Sequence, residues 1–169
     1  MNAPRQNELF LSVIEQNKGI IYKIANSFKK DEEDKKDLVQ EIILQLWHSF
    51  ASYDARSKFS TWMYRVSLNV AIASYRKEKR KNEIITPFSE DIIVLEEEVC
   101  FDDEDDNLRL LQQFISELKV LDRALMLLYL EEKPGKEIAG ILGLSETNIR
   151  TKTNRIKEQL KQRFSKINN

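Results

Sequence analysis

Asp37, Gln40, Glu41, Leu44 and His48 recur at three- and four-residue steps, which places two acids, an amide, an imidazole and one Leu along a single face of a helix. Such a stripe can dock on a protein around its Leu, and it can equally be a plain solvated face. Further on, Thr61, Arg65 and Asn69 recur at four-residue steps, with Arg76 beyond them and Trp62, Tyr64 and Tyr75 interleaved. Arg, Lys, Tyr and Trp in one segment suit phosphates and unpaired bases, although singly such aromatics also pack amphipathic helices. A third set, Arg150, Thr151, Lys152, Asn154 and Arg155, follows Ser145 on the first turns of a helix, where major-groove readers place their side chains.

Catalytic parts are scarce. With one Cys, Cys100, and one His, His48, the chain cannot assemble a Cys/His zinc site, a disulfide or a His-based triad. Cys100 also lies among carboxylates, which disfavour its thiolate. No catalytic residue, metal or cofactor is expected, and a metal-dependent nuclease acting through Asp37 and Glu41 is a distant alternative. The formal net charge of -1 conceals a segregation: residues 1–81 hold 15 Lys/Arg and 10 Asp/Glu, residues 82–106 hold none and 11, and residues 107–169 hold 12 and 7. Two basic blocks joined by a strongly acidic one suit two nucleic-acid-facing modules with a connector, or modules with a solvated linker. No apolar run approaches the ~20 residues of a membrane span, and MNAPRQNELF lacks an export signal, so a cytoplasmic protein without membrane insertion is expected.

The elements that must position these residues read as helices throughout. Only 4 Gly and 3 Pro occur in 169 residues. Apolar residues at Leu9, Phe10, Val13, Ile14, Ile20, Ile21, Ile24 and Phe28 predict a first amphipathic helix over 7–28, interrupted near Asn17 and Gly19. Asp34 is the expected cap of a second helix running to about Phe50, with Leu38, Val39, Ile42, Ile43, Leu46, Trp47 and Phe50 inward. A loop over 51–59 leads to a third helix capped by Ser60 and ending near Lys81, with Trp62, Met63, Val66, Val70 and Ala73 inward. Helical periodicity returns from Leu108. A short helix over 134–142, a turn at Gly143 and a helix capped by Ser145 make a helix-turn-helix. The expected fold is all-α: two small helical domains, 1–81 and 107–169, joined by an acidic flexible linker over 82–106.

These segments resemble bacterial sigma factors of the sigma-70 class, in particular the small extracytoplasmic-function (ECF) group. DLVQEIILQLW from Asp37 to Trp47 is similar to the family's polymerase-docking helix. FSTWMYRVSLNVAIASYRKEKR from Phe59 to Arg80 resembles its promoter-melting and minus-ten segment, and EIAGILGLSETNIRTKTNRIKEQL from Glu137 to Leu160 its minus-thirty-five reader. The resemblance implies that Asp37, Gln40, Glu41, Leu44 and His48 face core RNA polymerase at the clamp helices of its largest subunit. It implies a second contact with the flap of the second-largest subunit. Tyr53, Arg56, Lys58, Phe59, Thr61, Trp62, Arg65, Asn69 and Arg76 would bind minus-ten DNA, with the 53–58 loop and Asn69 holding a flipped base. Ser145, Arg150, Thr151, Lys152, Asn154 and Arg155 would bind the minus-thirty-five duplex of promoter DNA, and the linker would thread its acids into the polymerase.

An anti-sigma factor or other regulatory protein is a further implied partner. The sequence departs from the family pattern at Lys119, where Pro is common, and at Pro134 and Gly135, where a Ser cap and an aromatic are common. The competing reading is a helix-turn-helix regulator that binds duplex DNA without joining the polymerase; it leaves the segment from Asp34 to Lys81 without a role.

Overall fold

The structure, a computed structural model, describes residues 3–85 and 103–169. These residues form seven helices: α1 (Ala3–Phe28), α2 (Glu32–Phe50), α3 (Phe59–Ile85), α4 (Asp103–Ser116), α5 (Val120–Leu130), α6 (Gly135–Leu142) and α7 (Glu146–Ile167). Among the described residues there is no strand. The acidic connector expected over 82–106 is entered by α3 at one end and α4 at the other; its apolar clusters and Cys100 lie outside the described residues.

α1, α2 and α3 pack on one another. Phe10, Ile14, Ile21, Ile24 and Phe28 fall three, four or seven residues apart and are buried on one side of α1, against Leu38, Ile42 and Leu46 of α2. Each such side chain removed from water contributes about 1.5–3 kcal/mol before conformational entropy is counted. α1 runs through Asn17 and Gly19 without a break, because the Asn17 side chain donates to Val13 O at 2.9 Å instead of ending the helix. Leu9, expected inside, is exposed.

The cap of α2 is Asp31 and not Asp34: its carboxylate accepts from the Glu33 and Asp34 N–H groups at 3.1 and 3.2 Å. Glu32, Glu33 and Asp34 then fill the first turn, where the helix dipole favours acids. Asp31→Ala is expected to lower stability by about 1 kcal/mol, read from the urea midpoint at unchanged slope. Loss of the same amount at Asp34 would overturn this assignment.

The second unit holds α4 to α7. Leu125, Leu128, Ile138, Ile149, Ile156 and Leu160 make its centre, and Phe114 packs edge-on against Phe164 with centroids 5.1 Å apart. Gly143 turns the chain between α6 and α7 with φ of 69°, a left-handed conformation that an L side chain adopts only at a cost. Ser145 then caps α7, accepting from the Asn148 N–H at 3.1 Å. α6 starts without a side-chain cap, since Pro134 stands at that position.

α5 joins the two units. Every residue from Asp122 to Leu128 is buried, which requires cover on all sides of the helix: α1 and α3 on one, α4, α6 and α7 on the other. The same packing changes α3. The buried surface of α3 is broader than the expected inward face of Trp62, Met63, Val66, Val70 and Ala73. Thr61, Met63, Tyr64, Ser67, Leu68, Ala71 and Ile72 are buried, Trp62, Val66 and Val70 only partly so, and Ala73 is exposed. α3 also begins at Phe59, so Ser60 lies within its first turn and not at its cap.

Candidate polymerase and nucleic-acid interfaces

Leu38, Ile42 and Leu46 turn inward on α2, so its opposite side is free for Asp37, Gln40, Glu41, Leu44 and His48, all of which are exposed. Leu44 stands at 57% exposure between two grooves. One, of about 490 Å³, lies between α1 and α2 and is lined by Asn7, Phe10, Leu11, Gln40, Ile43, Leu44 and Trp47. The other, of about 340 Å³ between α2 and α3, brings Glu41, Leu44 and His48 beside Val70, Ala73 and Lys77. Trp47, expected in the core, lies only edge-on against Phe10 at 5.0 Å and keeps 37% of its surface exposed. Leu11, at 65% exposure, forms the far wall of the first groove. Sequence reasoning places neither residue at a docking surface, although an apolar residue off the stripe of α1 is the available sign for Leu11.

The loop over 51–58 is held from within. Tyr53 donates its hydroxyl to Ser57 O at 2.7 Å, and Asp54 accepts from the Arg56 N–H at 3.1 Å and pairs with its guanidinium at 2.9 Å. Tyr53, Phe59 and Trp62 form a ring cluster with centroids 5.2–5.4 Å apart, each half-buried. Half-buried aromatics of this kind keep edges or faces available for stacking. Lys58, Asn69 and Arg76 are exposed, and Thr61, Arg65, Asn69 and Arg76 fall within an arc of roughly 80° at about 100° per residue.

That arc is divided by its environment. Thr61 is buried against α6 and donates to Glu137 Oε1 at 2.6 Å, and Arg65 donates to Gly140 O at 3.0 Å. Between them Tyr64 is 2% exposed, with the Lys133 ammonium over its ring at 5.2 Å. Burial first, then the carboxylates of Glu131 and Glu137, pushes its phenol up to about 12. An unfolded tyrosine ionises near pH 10, so the stability held by the neutral phenol is fully present below about pH 10. It is lost as pH rises through about 12, on the order of 2 kcal/mol. Tyr64→Phe should flatten the urea-midpoint profile across that window; parallel profiles for both proteins would contradict the assignment.

On α7, Arg150, Thr151 and Asn154 are exposed on one face, whereas Thr153 is buried. Arg155 and Lys152 turn aside to Asp122 of α5, at 3.2 and 3.7 Å. Sequence reasoning missed Asp122, which is nearly buried and meets these cations from 33 and 30 positions away in the chain. Among the described residues no group of three or more His, Cys, Asp and Glu side chains could hold a metal ion, and no helix is long and apolar enough to cross a membrane.

Residues 13–81 match the family Sigma-70 region 2, and residues 108–160 match Sigma-70, region 4. The ECF RNA polymerase sigma factor SigM of Bacillus subtilis (strain 168) is 30% identical over 86% of this chain and 89% of its own length. The chain belongs to the sigma-70 family, in its ECF group. SigW of the same organism, also an ECF RNA polymerase sigma factor, is 27% identical over 93% of this chain and 89% of its own length. The fold agrees: the sigma factor RpoE from Bartonella quintana, crystallised with the anti-sigma factor NepR, superposes with a TM-score of 0.70. It is 18% identical to this chain, and the match covers 90% of this chain and 94% of that one.

Within this sigma factor, the α2 stripe, the 51–58 loop and the α3 arc all lie in the region 2 match, and α6 with α7 as far as Leu160 lies in the region 4 match. The helix-turn-helix regulator reading accounts only for the second of these, so the first match removes its advantage.

Proposed function

We propose that this ECF factor binds core RNA polymerase through the exposed stripe of α2, directs it to promoters by two DNA elements and assists strand separation at the nearer one. The observation that supports this reading most is the separation of chemistry on α2: a sealed inner face and an outer face of acids around one highly exposed Leu44. Such a face has no use in the fold itself. Tyr53, Phe59 and Trp62 supply stacking surface, Arg65 and the exposed cations from Arg76 to Lys81 supply phosphate contacts, and Asn69 is the base reader. Arg150, Thr151 and Asn154 enter the upstream major groove, with Lys152 and Arg155 beside them and Ser145 at the helix start.

Residues 1–81 serve as the docking and melting domain, 82–106 as the acidic connector and 107–169 as the upstream-reading domain. The factor works in the cytoplasm and leaves the chemistry of RNA synthesis to the polymerase. Its regulatory partner is an anti-sigma factor, the class of protein to which NepR, bound to RpoE of Bartonella quintana, belongs. The flap of the second-largest polymerase subunit is the contact assigned to the second domain.

Holoenzyme assembly tests the reading. The chain should co-elute with core polymerase and make thymines near minus ten permanganate-reactive on promoter DNA. A chain that binds promoter duplex alone and never enters the polymerase fraction would support the regulator instead.

A further inference from the structure

Asp122 stands on the first turn of α5, where the helix dipole favours an acid, and is 7% exposed. Its two oxygens meet two cations of α7: Arg155 Nη2 donates to Oδ2 at 3.2 Å, and Lys152 Nζ lies 3.7 Å from Oδ1. Two cations on one carboxylate leave one positive charge over. The partners are not equally enclosed. The Lys152 side chain keeps 25% of its surface exposed, so its ammonium is largely committed to the pair, whereas the Arg155 side chain keeps 53%. A guanidinium carries five N–H donors. Binding Asp122 therefore leaves Arg155 with donors for a second oxygen ligand.

Spacing along α7 gives the direction of that second ligand. At about 100° per residue, Ile149, Thr153, Ile156 and Leu160 fill an arc of roughly 60°, and all four are buried. Arg150, Asn154 and Thr151 span about 100° of the open side, and Arg155 and Lys152 follow within the next ~100°, on the flank that meets α5. For a helix lying in the major groove, base edges lie under the middle of its open side and the sugar-phosphate strands run along its flanks. A guanidinium tied to α5 stands beside a strand, out of line with the bases.

We propose that Asp122 is a positioning residue for upstream recognition: it fixes Arg155, with Lys152 beside it, as a clamp on one phosphate strand, and so leaves base reading to Arg150, Thr151 and Asn154. The clamp rests on the upstream-reading role proposed above, whereas the seat of Arg155 on Asp122 does not. Arg is the side chain most often used to read guanine. An unheld Arg155, one turn past Thr151, is free to meet a base or a phosphate in any register, and Asp122 removes that freedom. Holding the head of a long side chain beforehand also lessens the conformational entropy lost on binding.

The test compares holoenzyme formed with the full chain on two DNAs, a promoter taken from its mapped start sites and the same promoter with the upstream element scrambled. Arg155→Gln should weaken both about equally and reduce the slope of log affinity against log salt by about one, as for one lost phosphate contact. Arg150→Gln should instead narrow the gap between the two DNAs about tenfold. Asp122→Asn frees both cations, so scrambled DNA should be bound roughly threefold more tightly or better, with a smaller gain on the promoter. With Lys152→Gln and Arg155→Gln already present, Asp122→Asn should change neither affinity. A carboxylate needed only for folding would weaken binding in both backgrounds.

NMR reads the seat without DNA or polymerase. The guanidinium N–H signals of Arg155, assigned by their loss in Arg155→Gln, should be separate in the parent, reporting restricted rotation, and averaged in Asp122→Asn. Averaged signals in the parent would overturn the seat. A changed preference at one base pair in Arg155→Gln, or an unchanged salt slope, would overturn the clamp. Effects of Asp122→Asn that persist without the Lys152 and Arg155 charges would overturn the positioning. A parent holoenzyme indifferent to the scrambling would count instead against the upstream-reading function and leave the NMR result standing. Arg155 is exposed and belongs to no core cluster, so its variant keeps the test decisive if Asp122→Asn does not fold.

Discussion

Glu41→Lys combined with Leu44→Ala is expected to weaken binding to core RNA polymerase by about thirtyfold or more, which corresponds to about 2 kcal/mol. Both side chains are exposed on α2, and neither enters the core, so thermal stability should shift by no more than ~0.5 kcal/mol. The size follows from the surroundings of Leu44. It rises between two grooves whose walls are apolar on one side, at Leu11, Ile43 and Trp47, and mixed on the other. An apolar side chain that a partner can enclose on two sides has the setting of an interface hot spot, and the charge reversal adds repulsion wherever that partner is basic. Equal affinities of parent and double variant, measured by titration against immobilised core polymerase, would remove α2 as the docking element.

Asn69→Ala is expected to blunt discrimination at one minus-ten position by about 1–3 kcal/mol, the range of a good base contact. An amide offers a donor and an acceptor, so it can match the polar edge of one base in a way that Arg or Lys cannot. Extracting that base from the duplex costs a few kcal/mol, which contacts made after opening must return. Asn69 is exposed on the same arc of α3 as Thr61, Arg65 and Arg76, one turn beyond the part that α6 covers. Upstream duplex binding through Arg150, Thr151 and Asn154 should hardly change. Transcription from promoters randomised through the minus-ten element decides the matter, since identical base preferences in parent and variant would exclude Asn69 as the reader.

Much of the fold is legible in the sequence because most of its helices bury one stripe. The periodic apolar residues of α1 and α2, the Gly143 turn and the Ser145 cap are local signals, and the structure repeats them. The second helix of the helix-turn-helix is legible for the same reason. The failures sit where burial comes from another unit. Spacing along α3 sends Tyr64 outward and puts Thr61 on an open face, because a period in one helix records nothing about α6, more than 70 residues away in the chain. α5 gives no stripe at all, being covered on every side.

Two misreadings have purely local causes. Asp31 and Asp34 both precede an apolar run, and spacing alone does not decide which carboxylate turns back onto the free N–H groups. Trp47 falls on the apolar stripe of α2, yet the indole extends past the shelter of Phe10 to the edge of a groove. For the site the lesson is similar. The exposed stripe of α2 and the exposed face of α7 follow from helical spacing, whereas the pairing of Asp122 with Lys152 and Arg155 joins two helices and leaves no trace in either one.

The most direct measurement is transcription by core polymerase on sheared genomic DNA, with and without the chain, followed by sequencing of transcript 5′ ends. A sigma factor with the two reading surfaces described should produce reproducible start sites. Those sites should share one short sequence near minus ten and another near minus thirty-five, and deletion of residues 107–169 should abolish dependence on the second. Transcript ends indistinguishable from those of core polymerase alone would contradict the account.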